Sequence, residues 1–178
     1  MIGHLGWGLP VAVAFLLSAA SARADGLVVP MNLAIQAGSG NSIGDIAISQ
    51  SPAGMVFKLN LKGLRPGPHG FHVHENGQCS PTTMNGIAIP AGAAGSHLDS
   101  DHTNKHAGPE GDGHVGDLPL LVVADDGTAT QSLTAPRIKD IAQLKGHAVV
   151  IHVNGDNYSD QPAALGGGGA RFACGVIQ

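Results

Sequence analysis

Two imidazoles stand two residues apart in Gly70-Phe71-His72-Val73-His74-Glu75, and this spacing suits metal chemistry. In a β-strand the side chains of residues i and i+2 leave the same face. His72 and His74 can therefore reach one metal ion while Phe71 and Val73 turn to the core. Most of the remaining histidines lie downstream, at His97, His106, His114 and His152, with Asp117 among them. Imidazole ligands suit copper, zinc, nickel and iron, and the absence of nearby paired thiolates argues against a cysteine-rich structural zinc site.

The elements that must position these side chains follow from composition and pattern. With 27 Gly and 11 Pro but one Trp and one Tyr in 178 residues, the chain reads as one compact domain rich in turns and poor in aromatic core. From Leu27 onward, short runs alternate with Gly, Pro, Asn and Asp and show no sustained helical period, which favours an all-β sandwich or barrel. Val28 to Gln36, Ile43 to Ser49 and Met55 to Leu61 read as three consecutive strands. In the second, Ile43, Asp45, Ala47 and Ser49 alternate with Gly44, Ile46 and Ile48 on the opposite face. The His72 strand follows, and Pro119–Ala124, Asp125-Asp126-Gly127 and Thr128–Leu133 have the form of a hairpin with an Asp-Gly turn. Gly146–Val153 and Ala170–Ile177 bring the total to about eight strands.

Two stretches carry neither period: Gly77–Asp117, and the shorter Asn154–Gly169, which ends in four glycines. A structureless loop of about forty residues in a compact domain is functional or held by something other than a ladder. His97, His106, His114 and Asp117 can clamp the first loop through a metal, and Cys79 can staple it to Cys174 on the last strand. In the chain-entropy model a disulfide closing a loop near 100 residues contributes about 4–5 kcal/mol.

The N-terminus reads as an export signal. Leu9–Ala20 is an apolar run too short to span a bilayer, and Ala22-Arg23-Ala24 supplies the small residues of a cleavage site, although Met1–Gly8 carries no Lys or Arg. Residues 1–24 are expected to be removed, leaving a mature domain of 25–178. Nine Lys and Arg less Arg23 leaves eight against thirteen Asp and Glu, a mature net charge of −5 with His neutral. That balance gives no reason to expect a nucleic-acid partner. Nothing after residue 24 is long and apolar enough to anchor in a membrane, and two cysteines in an oxidising compartment pair naturally as one disulfide. The expected location is periplasmic or secreted.

Taken in order, Gly70–Glu75, Ala94-Gly95-Ser96-His97, Lys105-His106-Ala107-Gly108-Pro109, Gly113-His114-Val115-Gly116-Asp117-Leu118, Val149–His152 and Gly168–Val176 resemble the copper,zinc superoxide dismutases. Gly155-Asp156-Asn157-Tyr158-Ser159-Asp160 and Gly166–Gly169 are similar to the bacterial, exported branch. The resemblance covers Leu27–Gln178. It implies an eight-stranded antiparallel Greek-key β-barrel or sandwich with two long functional loops, and one copper and one zinc ion per chain. Copper ligands fall at His72, His74, His97 and His152, and zinc ligands at His97, His106, His114 and Asp117, with His97 bridging the two ions. Three imidazoles and a carboxylate suit zinc, which has no redox chemistry, while an all-nitrogen set suits a copper that must cycle.

The same resemblance implies disproportionation of superoxide to O2 and hydrogen peroxide, with Arg171 beside copper as the fixed cation that draws in the anion and His97 carrying a proton. His69 matches an outer residue fixing the backbone of the copper segment, and Asp156 a carboxylate joining a copper-ligand and a zinc-ligand histidine. His4, His102 and His147 have no ligand counterpart, and Glu110 and Asp112 read as a solvated turn. A copper-carrying protein on the same frame is the alternative, but carrier-like relatives lose copper ligands or the Arg, and this sequence keeps them all. The branch includes monomers and homodimers.

Overall fold

The chain is described by a computed structural model over residues 26–178. The expected signal segment 1–24 and His4 lie outside the described residues. The strands β1 (Leu27–Ile35), β2 (Gly38–Ser51) and β3 (Gly54–Leu61) form an antiparallel meander. Then come β4 (Gly67–His69), β5 (Phe71–His74), β6 (Thr82–Met84), β7 (Ile87–Ile89), β8 (Leu121–Val123), β9 (Ser132–Ala135), β10 (Ala148–His152) and β11 (Arg171–Val176). Seven of them build one curled antiparallel sheet in the order β5-β10-β11-β1-β2-β3-β9, and β4 pairs with β8. The last strand, β11, thus returns to lie beside the first, as in a Greek key.

The interior is lined by Met31, Ile46, Ile48, Met55, Phe57, Leu59, Phe71 and Ile151, all essentially inaccessible, and Phe57 meets Phe71 edge to face. Ile43 departs from the simple alternation, because it is buried in the same cluster as Ile46 and Ile48. The register between β1 and β2 slips there, Met31 facing Gly44 and Asn32 facing Ser42, so a bulge turns Ile43 inward. Gly44 beside it has φ +120°, and a Cβ at that position would run into the Asn60 carbonyl.

Three sequence expectations are corrected. Strand pairing across 119–133 is not a two-stranded hairpin: β8 pairs with β4 and β9 with β3, although the turn forms, with Ala124 N–H on Thr128 O at 2.8 Å and Gly127 N–H on Ala124 O at 2.9 Å. The carboxamide of Gln131, oriented to match, bonds the Val122 backbone at 2.9 and 2.8 Å, taking the place of a ladder rung. Gly77–Asp117 is not strandless. β6 and β7 form a small hairpin around Asn85-Gly86 at φ 53° and 77°, the Asn-Gly pair that a two-residue type I′ turn requires. Finally, Gly63–Pro68 is not wholly a connection into the His72 strand: it runs into the short β4, which Gly70 separates from β5, its N–H donating to Asn154 O and its carbonyl accepting from His152 N–H.

β5 and β10 lie at one edge of the sheet and carry two faces. Phe71, Val73, Val149 and Ile151 point into the main core, whereas Ala148 and Val150 join Ala91, Ala94 and Cys174 in a second cluster against Cys79. Cys79 and Cys174 are bonded, with Cα atoms 5.7 Å apart. The long loop is thereby fastened over the outer face of β5, β10 and β11, the face from which His72 and His74 project.

Candidate metal centre

β5 presents His72 and His74, the end of β10 presents His152, and the loop crossing in front of them presents His97, which bridges His74 in antiparallel register. Asp117 is brought in by a second such bridge to His72. These five side chains and His106 and His114 are all buried, none more than 6% exposed. The rings crowd together, His97 stacking on His72 with centroids 3.8 Å apart.

Two groups of donors lie with their ligand atoms within 4.8 Å of one another: His72, His74, His97 and His152, and His72, His97, His106 and Asp117. His114 falls just outside the second, its Nδ1 3.5 Å from Asp117 Oδ1. His97 belongs to both. Its Nδ1 lies 3.1 Å from Asp117 Oδ1, while its Nε2 is buried without a partner. The Nδ1 atoms of His72, His106 and His114 are likewise buried and unsatisfied, although His106 Nδ1 is only 2.9 Å from Asp117 Oδ2. Buried polar atoms are paired in nearly all proteins. Four unpaired ring nitrogens converging with a carboxylate are the donor set of cations, so the residues fit copper and zinc.

The opposite ring nitrogens are tied to the protein, which fixes the orientation of each imidazole. His74 Nδ1 donates to Gly95 O at 2.9 Å, His152 Nδ1 to Gly169 O at 3.0 Å, and His72 Nε2 to Asp156 Oδ2 at 2.7 Å. The other Asp156 oxygen accepts from His106 Nε2 at 2.8 Å, so this one carboxylate joins a histidine of each group. His69 lies 2.7 Å by Nδ1 from His152 O and 2.7 Å by Nε2 from Arg65 O, holding β4 against the end of β10.

Burial, with the neighbouring rings adding to it, drives His72 and His74 well below the ordinary imidazole value. His97 is also lowered by burial, and His152 by burial to about 4. They are neutral near pH 7 and keep lone pairs available for a cation. Burial would lower His106 too, but the carboxylates of Asp117 and Asp156 on either side of its ring outweigh it and raise it to about 9. Both carboxyls are correspondingly held well below their usual range by these histidines, despite burial.

Arg171, at the start of β11, lines a cavity of about 400 Å³ with His74, His97, His152, Gly95 and Leu165. Its Nη2 donates to Gly95 O at 2.6 Å, and its Nε is buried with no acceptor. His102 is exposed, and His147 turns away, its Nδ1 2.6 Å from Glu75 O. Asp112 pairs at the surface with Lys105. Sequence reasoning missed three supports. Asp160 accepts His106 N–H at 2.9 Å, Arg137 caps Gly113 O and His114 O at 2.7 and 3.0 Å, and the Gly95 carbonyl serves both His74 and Arg171. Backbone acceptors and lone distant residues leave no spacing signal.

Comparison with known proteins gives a consistent picture. The family model described as copper/zinc superoxide dismutase matches residues 42–177. The chain is 52% identical over 170 residues to superoxide dismutase [Cu-Zn] 2 of Salmonella typhimurium, covering 96% of this chain and 98% of that one. Among solved structures, the Cu/Zn superoxide dismutase from Brucella abortus superposes with a TM-score of 0.85 at 50% identity, covering 86% of this chain and all of that chain. The monomeric copper, zinc superoxide dismutase from Salmonella enterica, solved in solution, gives 0.78 at 54% identity, covering 86% and 99%.

Proposed function

This chain belongs to the copper/zinc superoxide dismutase family, and we propose that its site divides as copper on His72, His74, His97 and His152 and zinc on His97, His106, His114 and Asp117. The activity is disproportionation of superoxide, an oxidoreductase reaction using copper and zinc. One observation carries the division. His97 belongs to both donor groups, with Nδ1 on the Asp117 side and Nε2 buried without a protein partner. His72 is also common to both groups, but its Nε2 is spent on Asp156, which leaves it one nitrogen and one ion. His114, with Nδ1 unpaired beside Asp117, then completes a set of three imidazoles and a carboxylate that suits zinc.

Bound copper supplies the one-electron cycle in which one superoxide is oxidised to O2 and a second, with two protons, is reduced to hydrogen peroxide. The protein's residues supply position and one of those protons. Arg171 is anchored by Nη2 on Gly95 O at the cavity wall, so the guanidinium is held still while its charge faces the space a small anion would enter. With the ions bound, His97 Nε2, which no protein group claims, would be the nitrogen that holds and gives back that proton.

Export to the periplasm after loss of 1–24, leaving the domain 25–178, is part of the same proposal. It is supported by the apolar run Leu9–Ala20, the disulfide and the bacterial relatives. Among the described residues no helix is long and apolar enough to cross a membrane. A single chain suffices for the site, since every ligand comes from one protomer, and one close structural relative is monomeric. Metal analysis of the purified mature protein is expected to give one copper and one zinc per chain, with rapid superoxide consumption. Metal-loaded protein that leaves superoxide untouched would make it a carrier instead.

A further inference from the structure

We propose that Glu75 is a positioning residue that acts on Arg171 and His74 through one peptide unit, Gly95–Ser96. The Ser96 N–H donates to Glu75 Oε2 at 2.8 Å. The carbonyl of that same unit, Gly95 O, accepts His74 Nδ1–H at 2.9 Å and Arg171 Nη2–H at 2.6 Å. In a planar trans peptide the N–H and C=O point opposite ways. The carboxylate therefore stands behind the peptide, and the two functional donors stand in front.

The geometry makes the unit an electrostatic relay. A carboxylate accepting an N–H forms a charge-assisted bond, and hydrogen bonds in series polarise one another. Glu75 thus raises the acceptor strength of the oxygen that holds the guanidinium. Among the described residues Arg171 has no direct carboxylate partner. No Asp or Glu lines its cavity either. A carboxylate in direct contact would occupy the fork and repel an incoming anion; set behind the peptide, it fixes Arg171 and leaves the cavity cationic.

The surrounding bonds show that the peptide is gripped rather than merely near. Glu75 N–H donates to Ser96 O at 3.0 Å, Asn76 N–H to Ala94 O at 2.9 Å, and Asn76 Nδ2 to Ala93 O at 3.1 Å. His147 closes the back of the arrangement by donating to Glu75 O at 2.6 Å. Gly95 has φ +78°, and a Cβ there would lie 2.8 Å from Asn76 Nδ2 and hard against the Glu75 carboxylate. Only a residue without a side chain lets the peptide lie flat on Glu75.

The inference rests on the copper and zinc reading of the site, and azide is the probe. It is titrated into copper,zinc-loaded wild-type, Glu75→Ala and Glu75→Gln proteins and followed by copper absorbance. Glu75→Ala is expected to weaken azide binding several-fold and to alter the copper spectrum through His74. Glu75→Gln should fall between, since its amide oxygen keeps the Ser96 bond without the charge. A Glu75→Ala protein with a lowered melting temperature but wild-type azide affinity and spectrum confines Glu75 to loop stability and overturns the proposal. Should that variant fail to fold, Glu75→Gln decides alone, and unchanged azide affinity in it is equally fatal. Failure of the metal reading shows separately, as wild-type protein that takes up no copper and zinc, and would take this proposal down with it.

Discussion

Single side chains decide which sites stand or fall together. His97 stacks on His72, faces Asp117 with one nitrogen and leaves the other unpaired. His97→Ala is therefore expected to disturb both ions, lowering copper and zinc content and changing the copper spectrum. Normal stoichiometry with an unchanged spectrum would remove the bridge. The clustered histidines also set a pH dependence in the metal-free protein. Burial lowers His72, His74 and His97 and holds His152 at about 4, so below the ordinary value near 6.5 the unfolded chain binds more protons and stability falls with pH. His106, raised to about 9, has the opposite sign: its contribution is complete below about 6.5 and is lost as the pH climbs through 9. The urea midpoint of metal-free protein should thus peak near neutrality and fall more steeply on the acid side, where four histidines titrate, than on the alkaline side, where one does. A midpoint still rising from pH 7 to pH 5 would contradict these shifts.

At the level of elements, a long loop is held in place by a covalent bond and a small number of side chains. Cys79 lies in the loop and Cys174 on β11, three residues after Arg171, so the disulfide ties the loop to the strand that carries the cation. Reduction is expected to lower the melting temperature and weaken metal retention, because it restores loop entropy to the unfolded chain and loosens His97, His106 and His114. Free alkylation of both thiols in the native protein would refute the pairing. Much of this layer was legible in the sequence, for definite reasons. The i, i+2 spacing of His72 and His74 survives because a strand has only two faces, and the order of the histidine motifs carries the family pattern. The rest was set by pairing between distant segments. Ile43 turns inward through a bulge that depends on β1, and β8 and β9 choose β4 and β3 over each other. The β6–β7 hairpin was within reach, because Asn85-Gly86 is a strong local turn signal; the Gly- and Pro-rich surroundings hid it. The supports from Arg137, Asp160 and the Gly95 carbonyl had no periodic trace at all.

The whole molecule poses an electrostatic problem. A chain with nine Lys and Arg against thirteen Asp and Glu repels superoxide at long range, so fast capture requires a local positive field at the cavity mouth. Arg171 is the only Lys or Arg after Lys145, and none occurs from Asn76 to Asn104, the loop that forms the opposite wall. Of the side chains lining the cavity, Arg171 alone carries a full charge, since burial holds His74, His97 and His152 neutral. We therefore propose that guidance in this protein falls on Arg171 and the metals. Arg171→Ala is expected to reduce activity several-fold or more. Arg171→Lys should be intermediate, because the point charge survives while the fork that reaches Gly95 O is lost. Raising ionic strength screens the field over about 10 Å at 0.1 M, so salt should slow the wild type and affect Arg171→Ala less, the substitution having already removed what screening removes. Stopped-flow superoxide decay across a salt series measures both effects in one experiment. An Ala variant with the wild-type rate and the wild-type salt slope would show that Arg171 neither steers nor orients the anion, and would shift the whole burden of capture to the metal pair.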